Sequence, residues 1–108
     1  MVDAIWPALA DPHRRAMLDA LREGPRRVGE LAETLGLSQP ATSKHLRVLR
    51  EAGLVLVRKE AQRRIYAVSP GRMAELDAWL EPYRKLWNEG LDALGDHLAH
   101  DLGKQEEN

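Results

Sequence analysis

Seven polar or basic side chains lie within ten residues near the middle of the chain: Ser38, Gln39, Thr42, Ser43, Lys44, His45 and Arg47. Glutamine can pair with adenine and arginine with guanine, while lysine and arginine neutralise phosphates. Hydroxyl groups suit both bases and phosphates. These residue types therefore predict contacts with double-stranded DNA, and they leave open which side chain reads which base.

A second cluster of polar or basic residues spans six positions: Lys59, Gln62, Arg63 and Arg64. Residues 60–62 have the composition of a turn between two short strands, which places the cluster at the tip of a hairpin. In winged DNA-binding motifs this tip, the wing, reaches the adjacent minor groove or backbone. The alternative is an exposed hairpin whose charges discourage pairing with other strand edges.

Charge is distributed unevenly along the 108 residues, although the net charge is only −1. Residues 38–66 carry seven basic and two acidic side chains, a net charge of +5. Residues 1–37 have a net charge of −1, and residues 67–108 have a net charge of −5. A polyanion would therefore be attracted to the middle of the chain and repelled by its last third.

Helix start and stop signals predict the elements that position these residues. Asp11-Pro12 favours the start of a helix, because Asp can cap free N–H groups and Pro suits the first helical position. Gly24-Pro25 ends that helix. A short helix is expected before it, over residues 4–9.

Two further helices, joined by a tight turn, predict a helix-turn-helix motif. Apolar residues recur at helical spacing over residues 28–35, and Gly36 ends this helix. Ser38 then caps a helix that Gly53 closes. We expect the apolar side chains of this second helix to face the core and four others to point elsewhere: Thr42, Lys44, Arg47 and Arg50.

Beyond Gly53 the period changes. Residues 54–57 and 63–68 are typical of two strands, and residues 73–102 carry apolar side chains in steps of three and four. The latter pattern predicts one long amphipathic helix, which Pro82 would kink or break. The order is therefore four helices, a hairpin and a final helix.

The aromatic residues concentrate in the two terminal elements, and the chain has no phenylalanine. Trp and Tyr are enriched in protein interfaces, so we favour a dimer interface over packing within one monomer. A pocket for an apolar small-molecule effector at that interface is left open. The expected interface residues are Trp6, Trp79, Tyr83, Trp87, Leu91, Leu94 and Leu98.

Several classes of protein are disfavoured. The absence of cysteine excludes disulfides and thiolate metal sites, and it agrees with a cytoplasmic location. No apolar run approaches the ~20 residues that span a bilayer, so no membrane contact is expected. No nucleophile elbow or glycine-rich phosphate loop is present, which argues against an enzyme.

Several of these segments together resemble the ArsR/SmtB-type winged helix repressors. They are residues 8–15 (ALADPHRR), 29–32 (GELA), 37–46 (LSQPATSKHL) and 49–55 (LREAGLV). Residues 71–98, with AWLEPY and Trp87, resemble the last helix of a non-metal branch. The resemblance implies a dimer that represses its own gene or an operon, paired through its first and last helices.

The chain departs from the metal-sensing members of that family. It has no cysteine pair, and the remaining candidate ligands on the last helix are Asp96, His97, His100 and Asp101. Two histidines one turn apart are a weak ligand set, so we predict no metal and no cofactor.

The sequence thus predicts a mostly α (α+β) fold, a winged helix-turn-helix with a two-stranded wing and a long C-terminal dimerisation helix. Residues 1–102 would form one domain that includes the terminal helices, and residues 103–108 a polar tail. The predicted function is sequence-specific transcriptional regulation, mainly repression, by a homodimer on an inverted-repeat operator. The alternative is a winged helix that serves mainly in protein–protein contact.

Overall fold

A computed structural model describes residues 2–106, and for residues 101–106 it describes the backbone only. A 3₁₀ turn at Val2–Ala4 precedes the regular elements, and residues up to Leu76 form one compact unit, with the rest of the last helix forming a second. The mostly helical fold with a small sheet confirms the predicted class. In chain order the elements are α1 (Ile5–Leu9), α2 (Pro12–Arg22), β1 (Arg26–Arg27), α3 (Val28–Leu35), α4 (Gln39–Glu51), β2 (Val55–Glu60), β3 (Arg63–Val68) and α5 (Pro70–Glu106).

Asp11 begins α2 as predicted, since its carboxylate accepts hydrogen bonds from the backbone N–H groups of His13 and Arg14 at 2.7 and 3.3 Å. Partial desolvation raises the pKa of this carboxyl group. The two backbone hydrogen bonds and the positive charge of Arg14 outweigh that effect, so the pKa lies below its ordinary value. The cap therefore favours the ionised carboxylate.

Two arginine side chains complete the end of α1. The carbonyl of Ala8 would normally bond the N–H of residue 12, but proline has none. Arg14 Nε donates to that carbonyl instead, at 2.7 Å. The N–H that would serve Leu9 is engaged by Asp11, and Arg15 Nη1 donates to the Leu9 carbonyl at 2.7 Å. Two side chains of α2 thus supply the hydrogen bonds that the backbone at the start of α2 does not give to the last carbonyls of α1.

The helix-turn-helix is confirmed. Gly36 ends α3 with a φ of 66°, in the left-handed region that favours glycine. Ser38 caps α4, and Gly53 follows its end with a φ of 79°. The first turns of α5 pack on the core through Met73 and Leu76. The largest fully buried apolar side chains are Ile5, Met17, Leu31, Leu46, Leu49, Leu54 and Val55.

The predicted hairpin is present, and it is longer than the sequence indicated. The strand β2 continues through Glu60, and a two-residue turn at Ala61 and Gln62 joins it to β3. Ala61 has a φ of 56°, a conformation unusual for a residue with a side chain. The short strand β1 was not predicted; it pairs with β3, giving the sheet order β1-β3-β2.

The predicted break near Pro82 is not present, because the backbone of α5 continues as one helix through this residue. Pro82 withholds an N–H from the turn before it. Across this turn Arg84 donates to the backbone carbonyl of Asp77 at 3.0 Å and lies 2.7 Å from the Asp77 carboxylate. The helix extends to Glu106, so residues 103–106 of the expected tail are helical, and residues 107–108 lie outside the described residues.

Across the described residues, no helix is both long enough and apolar enough to cross a membrane.

Gly53→Ala should destabilise the protein more than Gly36→Ala. Both positions have a left-handed φ, where a Cβ atom costs about 1–2 kcal/mol. At Gly53 that atom would also lie 2.6 Å from Cγ of Arg72, whereas at Gly36 no described atom lies within 4 Å. We expect urea denaturation to give a free energy of unfolding at least ~1 kcal/mol lower for Gly53→Ala than for Gly36→Ala. Equal losses would mean that Arg72 moves aside without cost.

Candidate nucleic-acid interface

The N-terminal turn of α4 is closed by its own cap. The hydroxyl of Ser38 accepts a hydrogen bond from the N–H of Ala41 at 3.2 Å. The backbone carbonyl of Ser38 accepts one from the N–H of Thr42 at 3.0 Å. Pro40 has no N–H to offer. The Gln39 amide is therefore the remaining backbone donor of this turn that could meet a phosphate.

Thr42 does not face outwards as predicted. Its side chain is fully buried, and its hydroxyl donates to the carbonyl of Ser38 at 2.8 Å. A hydroxyl that bonds back to the preceding turn can be buried without an unsatisfied polar group. We therefore correct the sequence interpretation and remove Thr42 from the side chains that could contact DNA directly.

The remaining predicted residues of α4 differ in exposure. Gln39, Ser43, Lys44 and Arg47 are exposed, whereas His45 is half-buried. The Nδ1 atom of His45 lies 3.4 Å from Nη1 of Arg14. The exposed side chains thus follow one face of α4, and His45 lies towards α2.

The hairpin tip is exposed at all four predicted positions: Lys59, Gln62, Arg63 and Arg64. Both acidic residues of the basic middle segment are paired within it. Glu51 lies 3.1 Å from Arg47, and Glu60 lies 3.0 Å from Arg58. Within the described part of the chain, no ion pair neutralises Lys44, Lys59, Arg63 or Arg64.

A cleft of about 690 Å³ is lined by one residue of the predicted α4 cluster and by three of the predicted wing cluster, Gln62, Arg63 and Arg64. Gln39 of α4 and the pair Arg63 and Arg64 line it, along with Glu30 and Glu33 of α3. The sequence prediction did not include the α3 side of this cleft. The only available signal was the GELA motif, which gave no indication of a groove.

Arg27 neutralises one of the carboxylates in the cleft. The side chain and the backbone N–H of Arg27 both donate to Glu30, at 3.0 and 3.2 Å. These hydrogen bonds hold the pKa of Glu30 below its ordinary value, against a smaller opposing effect of desolvation. The cleft is further shaped by Gly29, where an added Cβ atom would lie 3.4 Å from Nε2 of Gln39.

The expected interface residues are exposed within their own units. Trp6 is 39% exposed, and the six predicted residues of α5, from Trp79 to Leu98, are 43–64% exposed, whereas the neighbouring Leu80 is half-buried. Trp79 and Tyr83 stack with ring centroids 4.7 Å apart. Leu86, which the sequence analysis did not single out, is 63% exposed. An apolar stripe therefore follows α5, made of Trp79, Tyr83, Leu86, Trp87, Leu91, Leu94 and Leu98.

The metal candidates on α5 do not form a larger ligand set. Among the described side chains, no group of three or more His, Asp or Glu residues could hold a metal ion. His97 and His100 are exposed, and the side chain of Asp101 lies outside the described residues.

Comparisons with known proteins agree with this architecture. Residues 11–57, from the cap of α2 into β2, match the family described as bacterial regulatory protein, arsR family. The HTH-type transcriptional regulator Rv2034 of Mycobacterium tuberculosis is 44% identical over 89 residues, which cover 82% of this chain and 80% of that protein.

Two solved structures are also similar. The transcriptional repressor BigR from Xylella fastidiosa is 33% identical, covers 76% of this chain and 84% of its own, and has a TM-score of 0.61. A homodimeric winged helix-turn-helix DNA-binding domain from Mycobacterium bovis is 31% identical, covers 78% of each chain, and has a TM-score of 0.65. These relatives are regulators rather than enzymes. The chain therefore belongs to the ArsR family of bacterial regulatory proteins.

Proposed function

We propose that this protein is a transcriptional repressor that binds an inverted-repeat operator as a homodimer. The observation that carries the proposal is the exposed basic surface of α4 and the wing, where Lys44, Lys59, Arg63 and Arg64 form no ion pair among the described residues. The names of the similar proteins support both repression and a homodimeric state.

In this proposal α4 is the recognition helix and enters the major groove. Gln39, Ser43, Lys44 and Arg47 are the side chains that reach bases and phosphates. Among the described residues, the only partner of Arg47 is Glu51, in an exposed ion pair, and such pairs contribute little free energy. It can therefore exchange this partner for DNA at small cost.

The wing contributes mainly through charge. Arg63 and Arg64 begin β3, and Lys59 lies opposite Arg64 on β2. Three cations near the two-residue turn of this hairpin suit the phosphate backbone or the minor groove beside the recognition helix. Backbone contacts raise the affinity for every sequence equally, so the wing would strengthen binding without selecting bases.

Homodimerisation through α5 is supported by the apolar stripe. Soluble monomers rarely expose a continuous apolar patch of this kind. Burying one leucine is worth roughly 1.5–3 kcal/mol, so a few leucines on each chain are enough to favour association. Two joined subunits would present two recognition helices to successive major grooves, about one helical turn apart.

Gln39→Ala and Arg63→Ala should affect binding differently. Loss of a base contact at Gln39 should reduce discrimination between duplexes by about 1–3 kcal/mol. Loss of a phosphate contact at Arg63 should weaken all duplexes alike and lower the salt slope by about one. The probes are duplexes selected from a random library by the wild-type protein and scrambled duplexes of equal composition, titrated by fluorescence anisotropy at several salt concentrations.

Two outcomes would contradict this division of roles. Equal wild-type affinity for selected and scrambled duplexes at physiological salt would contradict sequence-specific regulation. A change of base preference in Arg63→Ala, without one in Gln39→Ala, would reverse the roles of wing and helix.

Leu91→Glu combined with Leu94→Glu should yield monomers, because two carboxylates would lie in the proposed seam. The monomers should also bind the selected duplex more weakly, since one half-site no longer raises the effective concentration at the other. Sedimentation velocity measures the first effect, and anisotropy measures the second.

The matched control is Asn88→Glu combined with Ala99→Glu, which adds two charges at exposed positions off the apolar stripe. This variant should stay dimeric. If Leu91→Glu/Leu94→Glu also stays dimeric, the interface lies elsewhere. A monomer with full affinity would separate dimerisation from DNA binding.

A further inference from the structure

We propose that Arg14 is a positioning residue for DNA binding, which fixes the orientation of the recognition helix through His45. The inference rests on the proposed function, since it concerns how α4 is presented to DNA. It assigns a role to a residue outside the basic clusters that the sequence singled out.

The guanidinium of Arg14 joins two parts of the fold. Its Nε donates to the carbonyl of Ala8 at 2.7 Å, and its Nη2 donates to the carbonyl of Pro7 at 2.9 Å. The third nitrogen, Nη1, lies 3.4 Å from Nδ1 of His45 on α4. Because the guanidinium is planar, the two bonds to α1 determine where this third nitrogen lies.

The two hydrogen bonds to carbonyls of α1 hold the Arg14 side chain in a fixed position. Pro12 deprives the Ala8 carbonyl of its backbone donor, so Arg14 meets a need that no neighbouring N–H supplies. Its side chain is only 17% exposed. The contact with His45 is therefore made from a fixed platform rather than from a mobile surface arginine.

Among the described residues, the polar contact between α4 and α2 is the one between His45 and Arg14. The neighbouring Leu46 and Leu49 hold the helix on the core by apolar contacts, which are non-directional. A hydrogen bond to His45 restricts the rotation of α4 about its own axis, because its strength depends on angle. That rotation determines which groove atoms the exposed side chains reach.

The contact also selects one tautomer of His45. A guanidinium has donors and no acceptor, so Nδ1 must accept and Nε2 must carry the proton in the neutral ring. The other charged or titratable groups at this junction are His13, whose ring centroid lies 5.7 Å from that of His45, and Asp11, whose Oδ2 lies 3.9 Å from Arg14 Nη1. An Nε2–H group is a donor suited to a phosphate or a base acceptor.

Arg14→Lys tests the proposal, and Arg15→Lys is the matched control. Both arginines donate to carbonyls of α1, but Arg14 is the one that contacts α4. We expect Arg14→Lys to weaken binding to the selected duplex about fivefold to tenfold, and Arg15→Lys by less than about twofold. In a His45→Ala background, Arg14→Lys should weaken binding by less than about twofold, because the partner through which it acts is gone.

A readout without DNA separates this proposal from the proposed function. ¹⁵N NMR of the full-length wild-type protein, recorded at a pH where the imidazole rings are neutral, should show His45 in the Nε2–H form, and Arg14→Lys should shift it towards a mixture of tautomers. An Nδ1–H form in the wild type would overturn the Arg14–His45 link, even if Arg14→Lys fails to fold. Equal losses of affinity in Arg14→Lys and Arg15→Lys, or an undiminished loss in His45→Ala, would show that Arg14 acts on the fold alone. Failure of the wild type to prefer selected over scrambled DNA would instead contradict the proposed function.

Discussion

The burial of one face of α4 is the constraint on which the rest of the structure depends. Thr42, Leu46 and Leu49 follow at intervals of four and three, which is one face of a helix, and all three are fully buried. With this face buried, the exposed positions of α4 lie on the opposite side of the helix. The chemistry of the interface therefore follows from packing on its opposite side.

The acidic residues near the basic surface are paired with arginines close to them in sequence. The basic middle segment carries two acidic residues, and each is held by an arginine a few positions away in sequence. On the far side of the cleft, Arg27 holds Glu30 in the same way. Local pairs of this kind are weak in energy, but they keep carboxylates from opposing the field of the unpaired cations.

Much of the fold could be predicted because its helices begin and end at residues whose effect is local. Asp11, Gly36, Ser38 and Gly53 act within one or two turns, so their effects are visible in the sequence alone. The predictions that were wrong or missing concern features that depend on residues distant in sequence, or on a side-chain hydrogen bond that satisfies a buried polar group. The burial of Thr42 needs a hydroxyl that bonds back to Ser38, and the pairing of β1 with β3 joins residues about 40 positions apart. Of the predicted site residues, the wing cluster and most of the α4 cluster are exposed. The α3 wall of the cleft and the contact of Arg14 with His45 depend on three-dimensional packing that the sequence pattern does not show.

The tight turn of the wing has a thermodynamic consequence for association. Every residue of β2 is paired with one of β3 up to Glu60 and Arg63, and the turn between them contains only two residues. Such a hairpin is already ordered before it meets a partner, and little entropy remains to be lost on contact. Binding by this wing should consequently show the small heat-capacity change of rigid docking, rather than the large one that accompanies coupled folding.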